Sequence, residues 1–393
     1  MLQKLAIESV FATALVFAVM GLFSLIPLNF SALQPLENAI EGFDMMDLYY
    51  AEFQKDNGAF SKNVVLVNIA DANRQEIAQL VEYIGFGEPA AIGIDVYFGP
   101  LKEYKSDSLL SFVLKSTPNV ILGGEYLPDN NVILESNGHF KASAVGYTNF
   151  IGEDARSSTI RAWVPSIARE SGEYQSFALQ IARSLDKDAA VDFQLRSSDE
   201  EIINYIGNYE AFLHFEKEEL LNGSVDPEIF RGKAVVVGYM GNSFNDQWNV
   251  EDKLYTPLNS KISGRTFPDM NGAIIHANAV EMIANRNWIN QSPPFFTTVF
   301  TVLLTYFHVI FYMFLILKWD LYFDAIAKIL QIISTLILLF FVFNLYHNTN
   351  YRMHVTGGLA GIAFAVDVLF IYEAVANSLY RKFKWKSVLI NEE

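Results

Sequence analysis

Cysteine is missing from all 393 residues, which removes disulfide scaffolds, thiolate zinc sites, iron–sulfur clusters and Cys nucleophiles from consideration. Positive charge is scarce: 28 Lys and Arg stand against 44 Asp and Glu, a net of −16. Nucleic-acid binding draws on Lys and Arg that neutralise phosphates, so this balance argues against a nucleic-acid partner. No G-x-S-x-G elbow occurs, and Gly238-Tyr-Met-Gly241 matches neither phosphate-binding glycine pattern, which speaks against an enzyme of the hydrolase kind. Nothing calls for a cofactor, and no internal repeat or low-complexity linker interrupts the chain. What is plentiful is apolar: 51% of the residues are hydrophobic, with a mean hydropathy of +0.20. Part of this chain is solvated by lipid.

A span needs roughly 20 apolar residues to cross ~30 Å of hydrocarbon. Four stretches come near that, 5–28, 295–317, 326–346 and 355–372. Between the first two lies a region whose residues 30–293 hold 20 Lys and Arg against 37 Asp and Glu, a net of −17, leaving +1 for the rest. Cationic loops stay in the cytoplasm. Lys4, Lys318, Lys328 and the cluster Arg381, Lys382, Lys384 and Lys386 all satisfy that rule if four spans leave both termini inside. The expected organisation is a multi-pass protein of a bacterial inner membrane, with an extracytoplasmic (periplasmic) domain over 29–292 and a short basic tail over 373–393. The first apolar run is long for a cleaved signal.

Within the acidic domain, 64–70, 91–96, 119–123 and 234–238 are short β-branched runs of the kind buried on both faces of a parallel sheet. Amphipathic windows at 74–84, 106–115, 176–185 and 272–285 alternate with them. The pattern predicts an α/β domain, a mostly parallel, doubly wound sheet, with a β-rich insertion over about 131–229 carrying antiparallel runs at 158–165 and 202–207. Residues 31–60, with Glu37, Glu41 and Asp44, predict a helix rising from the first span.

These pieces resemble the CHASE-type-2 family, extracytoplasmic sensory domains found ahead of bacterial cyclases, kinases and other output modules. The resemblance rests on Leu36-Glu37, Phe43-Asp44, VVLVNIAD (64–71), AIGIDVYF (91–98), NVILGG (119–124), VGYTNF (145–150), TIRAWVP (159–165) and SFALQIA (176–182). Its most specific block is RGKAVVVGYMG (231–241), Asp246, Tyr255-Thr256-Pro257 and NGAIIHANAVEMI (271–283). Two departures stand out: Asp71-Ala72-Asn73-Arg74 replaces the family's Trp/Pro-rich element, and RKFKWKSVLINEE follows the last span where an output module is usual. The resemblance therefore implies a sensor that binds a ligand or an envelope protein and acts through a protein partner. The alternative is an assembly subunit of an envelope complex that uses the domain as a docking surface.

Ligands of open parallel sheets sit outside the carboxyl ends of the strands. Asp71, Asp95, Glu125 and Asp246 fall at such ends and predict a crevice for a small molecule, an amine or a hard cation such as Ca²⁺. Equally, Asp71 and Asp246 fit as backbone caps, with Asp95 paired in the fold. Thr256, His276 and Asn278 join the candidate ligand-binding set because they lie in the most family-like segment. A lone His without Cys partners is weak evidence for a metal, and a bond to a nearby backbone group or Asp246 explains it as well. Arg161 is read either as an anion clamp or as a surface strand residue.

In the membrane, Asp367 and His308 lie roughly 18 and 20 Å from the outer ends of their spans at ~1.5 Å per residue. They predict a polar pair, with Lys328 as the alternative partner of Asp367. Gly357, Gly361 and Ala365 carry small-xxx-small spacing for helix packing, within the chain or between chains.

Overall fold

The computed structural model describes residues 2–25, 45–50, 58–151, 159–169, 172–196, 198–246, 248–259 and 267–390. The expected rising helix with Glu37, Glu41 and Asp44 lies outside the described residues, apart from a short helix at Met45–Tyr49. The chain divides into two compact units, one of 38–289 and one of 1–37 with 290–393.

The larger unit is built on seven strands: β1 (Val64–Asn68), β2 (Ala91–Asp95), β3 (Val120–Leu127), β4 (Val132–Leu134), β5 (Ala144–Tyr147), β6 (Leu213–Glu216) and β7 (Ala234–Gly238). Six run parallel in the order β6-β1-β7-β2-β3-β5, and β4 pairs antiparallel with the end of β3. The runs of Val and Ile in β1, β2 and β7 are buried on both faces, as their composition predicts.

The two faces differ in side-chain size. On one, Val65, Val67, Ile92, Ile94, Val235 and Val237 form an apolar core with Ile77, Leu80, Val81 and Ile84 of helix Arg74–Gly85 and Leu110 and Leu114 of helix Tyr104–Ser116. Asn73 starts the first of these helices through a capping box with Glu76. On the other face the residues are small, so helices Phe177–Leu185 and Gly272–Ala284 lie close to the sheet. A Cβ on Gly93 would fall 2.2 Å from Ile181 Cδ1, and one on Gly238 would fall 2.9 Å from Ala273 Cβ.

The insertion is partly legible in advance. The antiparallel pairing of 162–163 with 201–202 joins the two predicted runs. The hairpin of Ser166–Arg169 with Gly172–Gln175, and the parallel strands β5 and β6, are not evident from the sequence. The sequence of β6, LHFE, is short and half polar, and becomes a strand because β1 offers it an open edge.

Four helices of the smaller unit are long and apolar enough to cross a membrane: Leu2–Ser24, Pro294–Trp319, Phe323–Thr349 and Thr356–Phe383. Helix Pro294–Trp319 packs against the first and the fourth. Gly357 and Gly361 face Thr301 and Thr305 of that helix, and Ala365 is fully buried. The small-residue stripe thus serves packing within the chain.

Candidate functional site

The register of the parallel strands places their last residues in one row: Glu216 of β6, Asn68 of β1, Gly238 of β7 and Asp95 of β2. This is the carboxyl edge at which open sheets bind ligands, and the two ends of the row are built differently. Asn68 is fully buried and satisfied. Its amide nitrogen donates to Glu216 Oε2 at 2.8 Å and to the Gly241 carbonyl at 3.1 Å, and its Oδ1 accepts from the N–H groups of Ala70 and Met240. It pins the loop after β7 and holds Ala70 in a left-handed turn at φ 43°. Glu216 also accepts from the Phe244 N–H at 2.8 Å.

Asp95, two strands away, has no hydrogen-bond or ion-pair partner among the described residues. Glycines flank it: a Cβ on Gly238 would lie 3.3 Å from Asp95 Cβ, and one on Gly123 would lie 3.4 Å from its Oδ1. Burial, with a smaller contribution from the charge of Asp252, pushes its carboxyl up to about 7. Asp252 is itself raised by burial and by Glu251, and sits at a left-handed position, φ 58°. A half-buried carboxylate with a perturbed pKa and no internal partner marks a functional-site candidate.

The other predicted residues are engaged elsewhere. Asp71 is exposed and ion-paired with Lys217, whose hydrogen bond and charge hold its carboxyl below the usual range. Asp246 accepts the N–H groups of Trp248 and Asn249, a loop cap. Glu125 points into solvent from β3. Among the described residues no three His, Asp or Glu side chains stand close enough to hold a metal ion, so the four carboxylates do not gather at one place and Asp95 stands apart from the other three. Asp71 and Asp246 lie three and eight residues past the ends of β1 and β7, on loops that carry them away, and Glu125 lies on the exposed part of β3.

Thr256 is buried and binds Asp269 through both its hydroxyl and its N–H, at 2.5 and 2.9 Å. Burial still lifts Asp269 to about 6. Asn278 takes the place of a neighbouring strand for 206–207, accepting from the Ile206 N–H at 2.9 Å and donating to the Gly207 carbonyl at 3.0 Å. His276 is buried, stacked on Phe150 at 4.6 Å with Phe177 edge-on. Its Nε2 lies 2.9 Å from the Thr148 carbonyl, which can only accept, so Nδ1 carries the lone pair and has no partner. Burial depresses its pKa to about 4, and the ring is neutral at physiological pH.

The CHASE2 domain model matches residues 14–317, most of the chain, from within the first candidate span to the end of the second. The chain belongs to the CHASE2 family. That family is one of extracellular sensory domains, and the four long apolar helices fit a membrane protein. No curated protein and no solved structure matches the chain.

Several residues of the CHASE2 domain escape a reading from sequence. Arg161 is neither an anion clamp nor a surface residue: it is buried and forms a bidentate pair with Asp47, at 2.8 and 2.5 Å. The two positions are 114 residues apart, so only the fold reveals the pair. The insertion also carries a cleft of about 470 Å³ lined by Ile167 and Phe193 and by the carboxylates of Glu173, Asp199 and the buried Glu201. Glu201 is neutralised by Arg196 at 2.8 Å.

In the membrane unit the expected His308–Asp367 contact does not form. His308 Nδ1 lies 2.8 Å from the Leu304 carbonyl of its own helix, while Asp367 pairs with Lys328 at 3.4 Å. Residue counting gives depth along a span but not rotation about it, and rotation selected Lys328. Glu8 of the first span is the polar centre that the sequence concealed. It is buried and accepts from Ser387 Oγ at 2.5 Å, the Val388 N–H at 3.0 Å and the Tyr372 hydroxyl at 3.3 Å, clasping the tail under the bundle.

Proposed function

We propose that this chain is a multi-pass protein of a bacterial inner membrane whose periplasmic CHASE2 domain senses a small cationic ligand at the carboxyl edge of its sheet and acts through a protein partner. Both termini face the cytoplasm, in accord with the basic flanks of the spans. The observation that carries the reading is Asp95. Every other polar residue of the strand-end row is satisfied inside the protein, whereas Asp95 lies between two glycines with its carboxyl unpaired.

An arriving cation supplies the missing partner. It favours the ionised carboxylate, lowers the pKa of Asp95 from about 7, and draws Asp252 toward the same charge. Ligand binding then shifts the domain between two states by no more than its differential affinity for them.

The test is thermal unfolding of the full chain in nanodiscs at pH 7.5 with Ca²⁺, Mg²⁺ or putrescine added. A ligand-dependent rise in Tm that disappears in Asp95→Asn and persists in Asp199→Asn, at the acidic cleft, supports the proposal. A rise that survives in Asp95→Asn, or no response to any of the three probes, overturns it.

A further inference from the structure

The membrane unit carries charge where lipid is expected. Lys328 Nζ and Asp367 Oδ1 pair at 3.4 Å between helices Phe323–Thr349 and Thr356–Phe383, with 54% and 63% of their side chains exposed on the outer surface of the bundle. Lys328 is five residues from the start of its helix, about 8 Å at 1.5 Å per residue. Asp367 is six residues short of Glu373, about 9 Å outward of that next charge on its helix. The pair therefore lies within the span near its cytoplasmic end, where Lys328 also serves as one of the basic flanks.

Lys328 does not reach for the membrane surface. Its ammonium is held at 3.3 Å from Gln331 Oε1, while Gln331 Nε2 donates to the carbonyls of Ile362 and Ala363 at 2.9 and 2.6 Å. Gln331 thus locks the two helices in register and holds both charges on one outward face. Ile332 and Leu336, one and two turns on from Lys328, are also exposed, at 61% and 60%. Helix Phe323–Thr349 is the least covered of the four spans. A charge left against lipid costs a few kcal/mol even by insertion scales, so this face needs a protein cover.

We propose that the cover is a second copy of this chain, joined through a two-fold axis along the membrane normal. Such an axis keeps depth and exchanges left for right. Lys328 and Asp367 stand side by side at one depth, so each Lys328 meets the Asp367 of the other copy, and four charges close into a neutral ring. An anionic headgroup would satisfy Lys328 alone and repel Asp367. The face is complementary to itself.

The absence of native cysteine makes the test direct. In the full chain in native membranes, Ile332→Cys, beside the pair, is oxidised with copper phenanthroline. Phe307→Cys, equally exposed at 61% but on helix Pro294–Trp319, serves as the control. A disulfide-linked dimer at 332 and not at 307 is expected, and adding K328L/D367L should lower its yield at least fivefold. The charge swap K328D/D367K, which rebuilds the ring, should restore the yield that either single reversal abolishes. Equal cross-linking at 307, a yield indifferent to removal of the charges, or a monomeric mass in nanodiscs overturns the proposal. So does an Ile332→Cys protein, with Lys328 and Asp367 intact, that cross-links only to a different polypeptide.

Discussion

Replacing Asp95 by Asn tests the site through stability, before any ligand is in hand. Its carboxyl stands at about 7 against an ordinary 3.8, because burial and then the charge of Asp252 penalise the ionised form. That gap of about three units corresponds to about 4 kcal/mol at 1.36 kcal/mol per unit. Solvent reaching the half-buried group reduces the working figure to about 2–3 kcal/mol. Since the folded-state pKa lies above the unfolded one, the native state holds the proton more tightly. Its contribution is complete below pH 3.8 and is lost as the pH rises through 7. Asn is neutral throughout, so Asp95→Asn should stabilise the protein most at pH 8 and roughly half as much at pH 5, which lies about 1.2 units above 3.8, with the difference vanishing only below 3.8.

His276 has the opposite sign. With its pKa lowered from 6.5 to about 4, its contribution is present above pH 6.5 and lost as the pH falls toward 4. In the wild type the two slopes oppose each other, with Asp269 at about 6 adding to the Asp95 side. Removing Asp95 should therefore also steepen the loss of stability on acidification. The assay is thermal unfolding of the full chain in nanodiscs between pH 5 and 8. For a unit of this size about 1 kcal/mol moves Tm by about 2–4 °C, so a rise of about 4–12 °C at pH 8 should fall to roughly half that at pH 5. A rise of equal size at both pH values, or a fall at pH 8, would refute the burial argument.

Three further outcomes are expected. Arg161→Met leaves Asp47 buried without its bidentate partner and should cost about 3–5 kcal/mol; the double variant Asp47→Leu/Arg161→Met should recover part of it in chemical denaturation of the full chain. Gly361→Ala places a methyl 2.0 Å from Thr305 Oγ1 and should destabilise the bundle by about 1–3 kcal/mol. Thr305→Ala in the same chain should relieve most of that loss, read as folded yield in detergent, whereas additive losses would mean the two residues do not meet. Glu8→Ala removes the acceptor shared by Ser387, Val388 and Tyr372; it should free the segment around the already exposed Lys384 and Lys386 and speed tryptic cleavage there in inside-out vesicles. An unchanged cleavage rate would show that the clasp does not hold the tail.

Much of the fold was legible beforehand because apolar periodicity is a local property. The four spans, the strands at 64–68, 91–95 and 234–238, and the helices after them follow from runs of Val, Ile and Leu that have one stable environment each. Strands β5 and β6 were not legible, since AVGY and LHFE are too short and mixed to form such a run and pair because a partner edge is already in place. Site residues divide in the same way. That Asp95 ends a buried strand is visible in AIGID, whereas its isolation depends on Gly123 and Gly238 from strands distant in the chain.

The sequence by itself determined which segments prefer lipid, which form the parallel sheet, and where along the chain its carboxyl edge falls, because burial of apolar side chains is decided by composition and period. Tertiary structure decided which polar groups are partnered. It gave Asp47 to Arg161, the tail to Glu8 and Asp367 to Lys328, and it left Asp95 without a partner among the described residues. Those outcomes depend on rotation about helices, alternation across strands and contacts across many residues of chain, and a hydrogen bond a few ångströms long leaves no trace in the local pattern of residues.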